Sequence, residues 1–463
     1  MPLIKSVSGF RGTIGGVPGE NLTPLDIIKF TSAYAMLLLE KHSNPSVMVG
    51  RDGRISGTMV QGLVIHNLLA MGIDVIDLGL STTPTVEYNV LKSNASGGII
   101  LTASHNQRHW NALKMLNEQG QIISKSFGQR ILKIAATGKF KFASVDELGQ
   151  LTEFKEAMDH HIQGILSLDI VNSIAIKKRK FQVVIDTINS TGSLAFPLLM
   201  EALDIQYEII NQKVDGKFKR DPEPLAKNLS QLSQKVIATK ADLGIAVDPD
   251  VDRLVLIDEK GIPFGEEYTI VACTDYVLSH KKGATVSNLS TTRAVRDITK
   301  QYGGEHFTSS VGEFFVVEKM KQVNAVIGGE GSGGVIYPKL HYGRDALNGV
   351  ALFLSLLAQR KKTVSALKQQ YPQYYMCKDK LRMDSKQHIK KALSKIKELY
   401  QKWNPDLTDG VKIDFDQSWV HIRESNTESI VRIYAEAHSQ KKADALVHQI
   451  QKQIKESFDF LRV

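Results

Sequence analysis

Three aspartates alternate with other residues in one short segment, DPDVDR at residues 248–253. Ionised carboxylates at positions i, i+2 and i+4 of a tight loop repel one another unless a cation lies among them. Mg²⁺ suits such a loop because it keeps several waters and binds few protein carboxylates together with phosphate oxygens. Asp248, Asp250 and Asp252 are therefore predicted to bind Mg²⁺.

Two other chemistries share this spacing. An EF-hand loop has the same aspartates, and Glu259 even falls at its twelfth position, but Arg253 stands where that loop needs glycine. The apolar run LVLI at residues 254–257 also predicts a strand where an EF-hand has a helix. An aspartyl-phosphate phosphatase begins with Asp-x-Asp after a strand, so Asp248 as a nucleophile stays an open alternative.

A second segment, TASHN at residues 102–106, follows the apolar run GGIIL. Open α/β sheets place their ligands at the carboxyl ends of parallel strands, where Ser104 would lie. His105 and Lys114 are residue types that handle a proton or a phosphate charge. An ordinary polar loop contains the same residue types, so this segment alone leaves both interpretations open.

Two further loops carry groups suited to a sugar phosphate. The glycines of GGEGSGG at residues 328–334 let backbone approach a ligand, while Glu330 and Ser332 offer hydrogen bonds to hydroxyls. The segment RESNTES at residues 423–429, followed by Arg432, combines hydroxyls, an amide and two arginines, which suits a phosphate. Flexible turns have similar compositions, so each loop is weak evidence by itself.

Short apolar runs alternate with helical patterns, which predicts parallel α/β units around these loops. The predicted strands of this part lie at residues 46–50, 74–78, 97–101, 181–185, 243–247 and 325–328. The pattern changes after about residue 375, where an α+β module is expected. Its predicted helices lie at 386–403 and 443–458, and its strands at 411–415, 418–422 and 430–436.

Composition limits the function classes. A chain of 463 residues exceeds the size of one hydrophobic core, so several domains are expected. The net charge of +9 comes from lysines and arginines spread along the chain, which favours anionic small-molecule substrates over nucleic acid. No apolar run is long enough to span a bilayer, and the N-terminus lacks a secretory pattern. Two cysteines, Cys273 and Cys377, fit a reducing cytoplasm.

Taken together and in order, the loops resemble those of the α-D-phosphohexomutase superfamily. The resemblance covers six motifs, namely SGFRGT at 8–13, GRDGRISG at 50–57, TASHN at 102–106, DPDVDR at 248–253, GEGSGG at 329–334 and RESNTE at 423–428. It implies three mixed-sheet α/β domains and a C-terminal α+β domain in a heart shape around a central cleft. The expected domains span 1–150, 151–255, 256–372 and 373–463.

The resemblance also implies roles for individual residues. Ser104 would carry a phosphoryl group whose oxygen joins Asp248, Asp250 and Asp252 around Mg²⁺. The remaining implied roles are assistance to transfer by Arg11, Lys114 and His105, support by Arg253, sugar recognition by Glu330 and Ser332, and phosphate binding by Arg423, Ser425, Asn426, Thr427 and Arg432.

The implied reaction interconverts hexose 6-phosphate and 1-phosphate through a hexose 1,6-bisphosphate, which also serves as activator. The expected partner is a phosphosugar, with neither nucleic acid nor membrane, and the chain is expected to be a cytoplasmic monomer or homodimer. The sequence from the sugar loop to Asp345 resembles phosphoglucosamine mutases, with phosphoglucomutase/phosphomannomutase as the alternative. Gln107 and Ser429 replace prolines common among relatives. Gly334 replaces a histidine of several bacterial subgroups, which leaves the proton-transfer group open, with His341 as a candidate.

Overall fold

The structure, a computed structural model, describes residues 3–6, 9–425 and 430–459. Its first sheet has seven strands in the order β1-β2-β6-β5-β3-β4-β7. Strands β3, β4, β5 and β7 run parallel, and β6, β2 and β1 extend the sheet from β5 through three successive antiparallel pairings. The elements of this unit are β1 (Ile4–Ser6), β2 (Gly9–Thr13), α1 (Pro24–Lys41), β3 (Ser46–Arg51), α2 (Gly57–Ala70), β4 (Asp74–Leu80), α3 (Thr83–Leu91), β5 (Gly97–Leu101), β6 (Trp110–Leu116), α4 (Lys125–Thr137) and β7 (Leu151–Glu153).

The second and third sheets each contain four strands, in the orders β11-β10-β8-β9 and β13-β12-β14-β15. In each of them three strands are parallel and one edge strand, β11 or β15, is antiparallel. The elements of the second unit are α5 (Ala157–Leu166), α6 (Ser173–Arg179), β8 (Gln182–Asp186), α7 (Gly192–Ala202), β9 (Gln206–Ile210), α8 (Ser230–Thr239), β10 (Leu243–Val247) and β11 (Leu254–Asp258). Those of the third are α9 (Glu266–His280), β12 (Thr285–Asn288), α10 (Ala294–Gln301), β13 (His306–Ser309), α11 (Glu313–Gln322), β14 (Ile327–Glu330), β15 (Gly334–Ile336), α12 (Ala346–Arg360) and α13 (Val364–Lys368).

The fourth unit is an antiparallel sheet in the order β16-β19-β18-β17 with two amphipathic helices. Its elements are β16 (Tyr375–Arg382), α14 (Lys386–Leu399), β17 (Val411–Asp414), β18 (Ser418–Glu424), β19 (Ile430–Ala437) and α15 (Gln440–Asp459). The predicted strands and helices of this module are confirmed, although α14 ends at Leu399, before the predicted end at 403. The change in sequence pattern after about residue 375 therefore coincides with the change from mixed sheets to an antiparallel sheet.

Burial explains why these runs form strands and where the units join. Every residue of β5 and β10 is buried, as expected for strands covered on both faces. Helix α12 is buried from Ala346 to Ala358, and its side chains join the second and third units in one continuous core. The first and fourth units have cores of their own. The second and third units are thus packed as one body.

The domain divisions at 150/151 and 255/256 stay a prediction. Strand β7 lies just after the first division but pairs with β4 of the first sheet. Strand β11 crosses the second division and pairs with β10 of the second sheet. Among the residues that the structure describes, no helix is both long and apolar enough to cross a membrane. The cytoplasmic location and the oligomeric state also stay predictions.

Candidate active site

Ser104 lies in the loop that follows β5, at the carboxyl end of the first sheet. Its φ of 46° places a non-glycine residue in the left-handed region, which is sterically costly and held by surrounding contacts. The backbone N–H donates to Thr102 Oγ1 at 2.9 Å. The hydroxyl donates to Asp248 Oδ2 at 2.6 Å, across the boundary to the second unit. The predicted phosphoryl carrier and the predicted metal loop therefore meet.

Arg54, which sequence reasoning did not assign to the site, holds this loop in place. Its Nε pairs with Asp52 at 3.0 Å. Its four Nη hydrogens reach four carbonyl oxygens of the loop, those of Ser104 (2.5 Å), Asn106 (2.7 Å), Gln107 (2.8 Å) and Trp110 (3.0 Å). All five N–H donors of a guanidinium that is 1% exposed are thereby used. The only signal in the sequence was the position of Arg54 inside the GRDGRISG motif.

Asp248, Asp250 and Asp252 lie in the tight loop between β10 and β11. Each offers a carboxylate oxygen within 4.8 Å of the other two, and all three side chains are fully buried. Val251 has a φ of 61° and a side chain in the shared core. For a β-branched residue this conformation is strained by about 1–3 kcal/mol. The apolar anchoring of Val251 turns the loop so that its aspartates converge.

The charges around the trio account for its electrostatics. Burial, and then the neighbouring Asp252 and Asp250, raise the pKa of Asp248 well above its usual value. Burial also acts to raise the pKa of Asp250, but Lys114, 2.7 Å away, outweighs it and the pKa is lowered. Asp250 Oδ1 and Asp252 Oδ1 are buried and have no hydrogen-bond partner among the residues that the structure describes. Convergent carboxylates with unpartnered oxygens fit a hard divalent cation, so the donor set suits Mg²⁺.

Arg344 is a second residue that sequence reasoning did not assign. Its guanidinium contacts Asp252 Oδ2 at 2.7 Å, Glu330 Oε2 at 2.8 Å and Glu313 Oε2 at 2.9 Å. Three planar contacts from one fork link the metal loop, the sugar loop and the start of α11. Arg344 therefore fixes the position of the predicted sugar-recognition residue relative to the predicted metal ligands.

The sugar loop joins β14 to β15. Asn288 Nδ2 and the Gly312 N–H both donate to Glu330 Oε1, at 2.8 and 3.1 Å, while Ser332 is half-buried. Burial acts to raise the pKa of Glu330, but Arg344 and Asn288 lower it, so the carboxylate is ionised.

The structure also explains Gly334. A Cβ at Gly334 would lie 2.4 Å from Arg344 Cδ, so a histidine has no room while Arg344 keeps this position. The lack of a side chain at Gly334 therefore leaves room for Arg344 in its observed position. His341, the candidate substitute, is 3% exposed, and its nearest charged groups are Asp345 and Glu87.

A group of cations from three units faces this region. Burial, and then the charges of Arg253 and Arg432, lower the pKa of Arg11, which donates to Asn106 Oδ1 at 3.5 Å. Burial, followed by Arg253 and Arg11, also holds the pKa of His105 well below its usual value, so this imidazole is neutral. His105 Nδ1 lies 3.4 Å from Ser104 Oγ. Cations concentrated in this way attract an anionic ligand.

The fourth unit supplies the predicted phosphate-binding residues. Arg423 and Arg432 are directly paired across β18 and β19, and Arg432 Nη1 donates to Tyr434 Oη at 3.3 Å. Ser425 is buried, and its N–H donates to the Ile430 carbonyl at 3.0 Å. Asn426 and Thr427 lie outside the described residues.

Comparisons with known proteins agree with this geometry. Four family profiles match in order: Phosphoglucomutase/phosphomannomutase, alpha/beta/alpha domain I at residues 4–142, domain II at 159–261, domain III at 265–375, and the C-terminal domain at 380–453. A "Phosphoglucomutase/phosphomannomutase" of Thermococcus kodakarensis is 36% identical over 439 residues, covering 93% of this chain and 95% of that protein. A "Phosphoglucosamine/phosphogalactosamine mutase" of Sulfurisphaera tokodaii is 32% identical over 453 residues, covering 95% and 98%.

The fold is shared with solved structures. A phosphoglucomutase/phosphomannomutase family protein from Burkholderia thailandensis superposes with a TM-score of 0.84 at 24% identity, covering 99% of this chain and 97% of that one. The four-domain mixed α/β fold class predicted from the loops is thereby confirmed. The chain belongs to the phosphoglucomutase/phosphomannomutase family of the α-D-phosphohexomutase superfamily, whose members are phosphotransferase isomerases.

Proposed function

We propose that this chain interconverts hexose 6-phosphates and 1-phosphates by way of phospho-Ser104 and a hexose 1,6-bisphosphate. The observation that carries the proposal is the 2.6 Å hydrogen bond from Ser104 Oγ to Asp248 Oδ2, which joins residues 144 positions apart. A serine hydroxyl held against a metal-binding carboxylate trio is suited to carrying a phosphoryl group. Phosphoryl transfer depends mainly on such positioning and on neutralising the phosphoryl oxygens.

Asp248, Asp250 and Asp252 would hold Mg²⁺, and the ion would neutralise charge that develops on the phosphoryl oxygens. The Lys114 ammonium lies 2.7 Å from Asp250 and 3.6 Å from Asp252, so it is adjacent to the proposed Mg²⁺ site. Burial acts to lower the pKa of Lys114, but the two aspartates raise it, and the side chain stays cationic. Lys114 therefore supplies a fixed positive charge beside Asp250 and Asp252.

In the first half-reaction the phosphoryl group leaves Ser104 Oγ and bonds to the free hydroxyl oxygen of the bound hexose phosphate; that hydroxyl gives up its proton, Ser104 Oγ takes one up, and the bisphosphate forms. In the second, Ser104 Oγ gives up its proton and bonds to the other phosphoryl group, the original phosphate–sugar bond breaks, and the released sugar oxygen takes up a proton. The Oγ proton has two acceptors nearby, Asp248 Oδ2 at 2.6 Å and the neutral His105 Nδ1 at 3.4 Å. Arg11 and Arg253 add positive charge near His105, whose pKa they lower after burial.

The phosphate that does not react is assigned to the fourth unit. Arg423 and Arg432 lie side by side and suit bidentate contacts with phosphate oxygens. Ser425 follows Arg423 at the end of β18, and Asn426 and Thr427 belong to the same proposed cradle. One cradle serves both orientations of the intermediate, because the 1,6-bisphosphate presents a phosphate at either end.

For the sugar we propose glucosamine phosphate. Ionised Glu330 accepts hydrogen bonds from hexose hydroxyls and attracts the ammonium that glucosamine carries at C2, while Ser332 offers a hydroxyl. The relative from Sulfurisphaera tokodaii is named for this substrate class. The second candidate, phosphoglucomutase/phosphomannomutase, is favoured by the higher identity to the Thermococcus kodakarensis relative.

Intact-protein mass spectrometry after incubation with glucose 1,6-bisphosphate tests whether Ser104 carries the phosphoryl group. We expect one added phosphoryl group, mapped to Ser104, that is absent from Ser104→Ala. An aspartyl-phosphate phosphatase would instead keep the label in Ser104→Ala and lose it in Asp248→Asn, and that result would refute the proposal.

Rates on glucosamine, glucose and mannose 6-phosphates, measured in parallel with Mg²⁺ and the bisphosphate, test the sugar. The highest kcat/KM on glucosamine 6-phosphate is expected. A higher value for glucose or mannose 6-phosphate selects the second candidate, and no isomerisation of any sugar identifies a non-catalytic sugar-phosphate binder.

A further inference from the structure

A second convergent cluster of metal-ligating side chains lies apart from the aspartate trio. It consists of His161 on α5 and of His341 and Asp345, which precede α12. His161 Nε2 is 3.0 Å and His341 Nε2 is 3.4 Å from Asp345 Oδ2. All three side chains are at most 3% exposed, and one ligand atom of each lies within 4.8 Å of the others.

The two imidazole rings share one orientation relative to this centre. Both Nε2 atoms face Asp345, and both Nδ1 atoms face an oxygen on α3, with Thr85 Oγ1 at 3.1 Å from His161 and Glu87 Oε2 at 3.6 Å from His341. Metal-binding histidines are held in this way, with one nitrogen on the ion and the other directed at a carboxylate or hydroxyl.

Asp345 divides its oxygens between two tasks. Its Oδ1 accepts from the N–H groups of Leu347 and Asn348 and caps α12, so only Oδ2 is directed at the histidines. Burial acts to raise the pKa of Asp345, but His161 and His341 lower it, and the carboxylate is ionised.

Glu87 is the second carboxylate of this region and is fully buried. Neither of its oxygens, nor His341 Nδ1, has a hydrogen-bond partner within the described part of the chain. A buried polar atom without a partner is unfavourable, so these atoms indicate that a component is missing from the cluster.

We propose that His161, His341 and Asp345 bind a divalent transition-metal ion of the Zn²⁺ class, with Thr85 hydrogen-bonded to the His161 Nδ1 and Glu87 facing the His341 Nδ1. Two imidazole nitrogens and one carboxylate select such an ion over Mg²⁺, which prefers oxygen ligands. The ligands come from α5 of the second unit and from the segment before α12, so the ion joins these two segments, while α3 of the first unit contributes only Thr85 and Glu87 behind the imidazoles. The Mg²⁺ loop uses none of these ligands.

Co²⁺ binding to the full chain tests the proposal independently of turnover. The protein used is the Asp248→Asn/Asp252→Asn double variant, in which two ligands of the aspartate loop are removed. It is stripped of metal with EDTA and then dialysed. We expect one equivalent of Co²⁺ to give the visible absorption bands of a low-coordinate site with nitrogen ligands, and Zn²⁺ but not Mg²⁺ to displace it. Absence of these bands at saturating Co²⁺ identifies a His–Asp–His hydrogen-bond network without metal and overturns the proposal.

Further substitutions in the same double variant test which residues bind the ion. His161→Gln and His341→Gln are expected to abolish the bands, whereas the matched control His160→Gln, which alters an exposed neighbouring histidine, keeps them. Thr85→Val leaves all three ligands in place and is expected to weaken the site by about 10–100-fold, the usual effect of removing such a support. Unchanged bands in both His161→Gln and Thr85→Val would place the ion elsewhere and overturn the assignment, even where His341→Gln fails to fold.

Discussion

Substitution of Arg54 by lysine gives the sharpest test of how the Ser104 loop is positioned. Arg54 is almost fully buried and donates five hydrogen bonds, one to Asp52 and four to loop carbonyls. Lysine keeps the positive charge and so avoids leaving Asp52 as an unpaired buried carboxylate. It has three donors on one nitrogen, so at least two of the five bonds are lost.

The magnitude follows from the groups left unpaired. Two buried carbonyls without a partner cost about 1–3 kcal/mol each, which gives ~2–6 kcal/mol of destabilisation for the loop. The left-handed conformation of Ser104 needs these contacts, because its φ of 46° is unfavourable without them. A displacement of the hydroxyl by about 1 Å lowers a phosphoryl-transfer rate by about 10²-fold.

Two measurements follow the perturbation. The rate at which glucose 1,6-bisphosphate phosphorylates Ser104, read by intact mass, reports the geometry of the hydroxyl. The kcat with saturating hexose phosphate reports both half-reactions. We expect both to fall about 100-fold in Arg54→Lys, with a smaller change in KM, because the hydrogen bonds of the Arg54 side chain within the described residues go to Asp52 and to carbonyls of residues 104–110.

Arg51→Lys is the matched control. Arg51 is only three residues away, but its Nε donates to Gln61 at 2.8 Å and it holds no carbonyl of the Ser104 loop. This variant is expected to keep its kcat. Phosphorylation and turnover of Arg54→Lys within about threefold of the wild type, equivalent to under 0.7 kcal/mol, would refute the positioning role.

Three other outcomes are expected. Arg344→Gln removes the cation between Asp252 and Glu330. The Mg²⁺ concentration for half-maximal activity should then fall, because Asp252 no longer pairs with an arginine, and the KM for the sugar phosphate should rise, because Glu330 loses its support. Each change is expected to be about tenfold, equivalent to 1.4 kcal/mol, and initial-rate measurements check both. Burial, then Lys412 and Arg296, lower the pKa of His306 to about 3, so the folded state binds fewer protons than the unfolded one and stability falls below pH 6.5. By pH 5 the loss is ~2 kcal/mol, which His306→Gln should lack in urea titrations. EDTA should abolish turnover, with Mg²⁺ restoring it in the wild type but only at higher concentration in Asp250→Asn.

Local patterns determined much of the molecule. The apolar run at 243–247 coincides with β10, and the run at 97–101 coincides with β5, because strands covered on both faces need continuous apolar side chains. The spacing of Asp248, Asp250 and Asp252 predicted a cation site without knowledge of the fold, since close carboxylates repel one another, and the structure brings the three carboxylates together.

The arrangement that makes a site of these loops depends on contacts far apart in the chain. Arg54 reaches carbonyls 50 to 56 residues away, and Arg344 reaches Asp252 across 92 residues. No periodicity or spacing reports such contacts, because they arise only when whole units pack together. The same reason applies to Gly334, whose missing side chain is explained by the position of Arg344.

The sequence alone thus determined the chemistry of each loop, because residue type and local spacing fix which groups are present. The tertiary structure decided which of these groups meet, that Ser104 faces Asp248, that Arg344 bridges the metal and sugar loops, and that His161 and His341 share Asp345. The physical reason is that a hydrogen bond or ion pair acts over about 3 Å, and only the packing of the shared core brings distant segments that close.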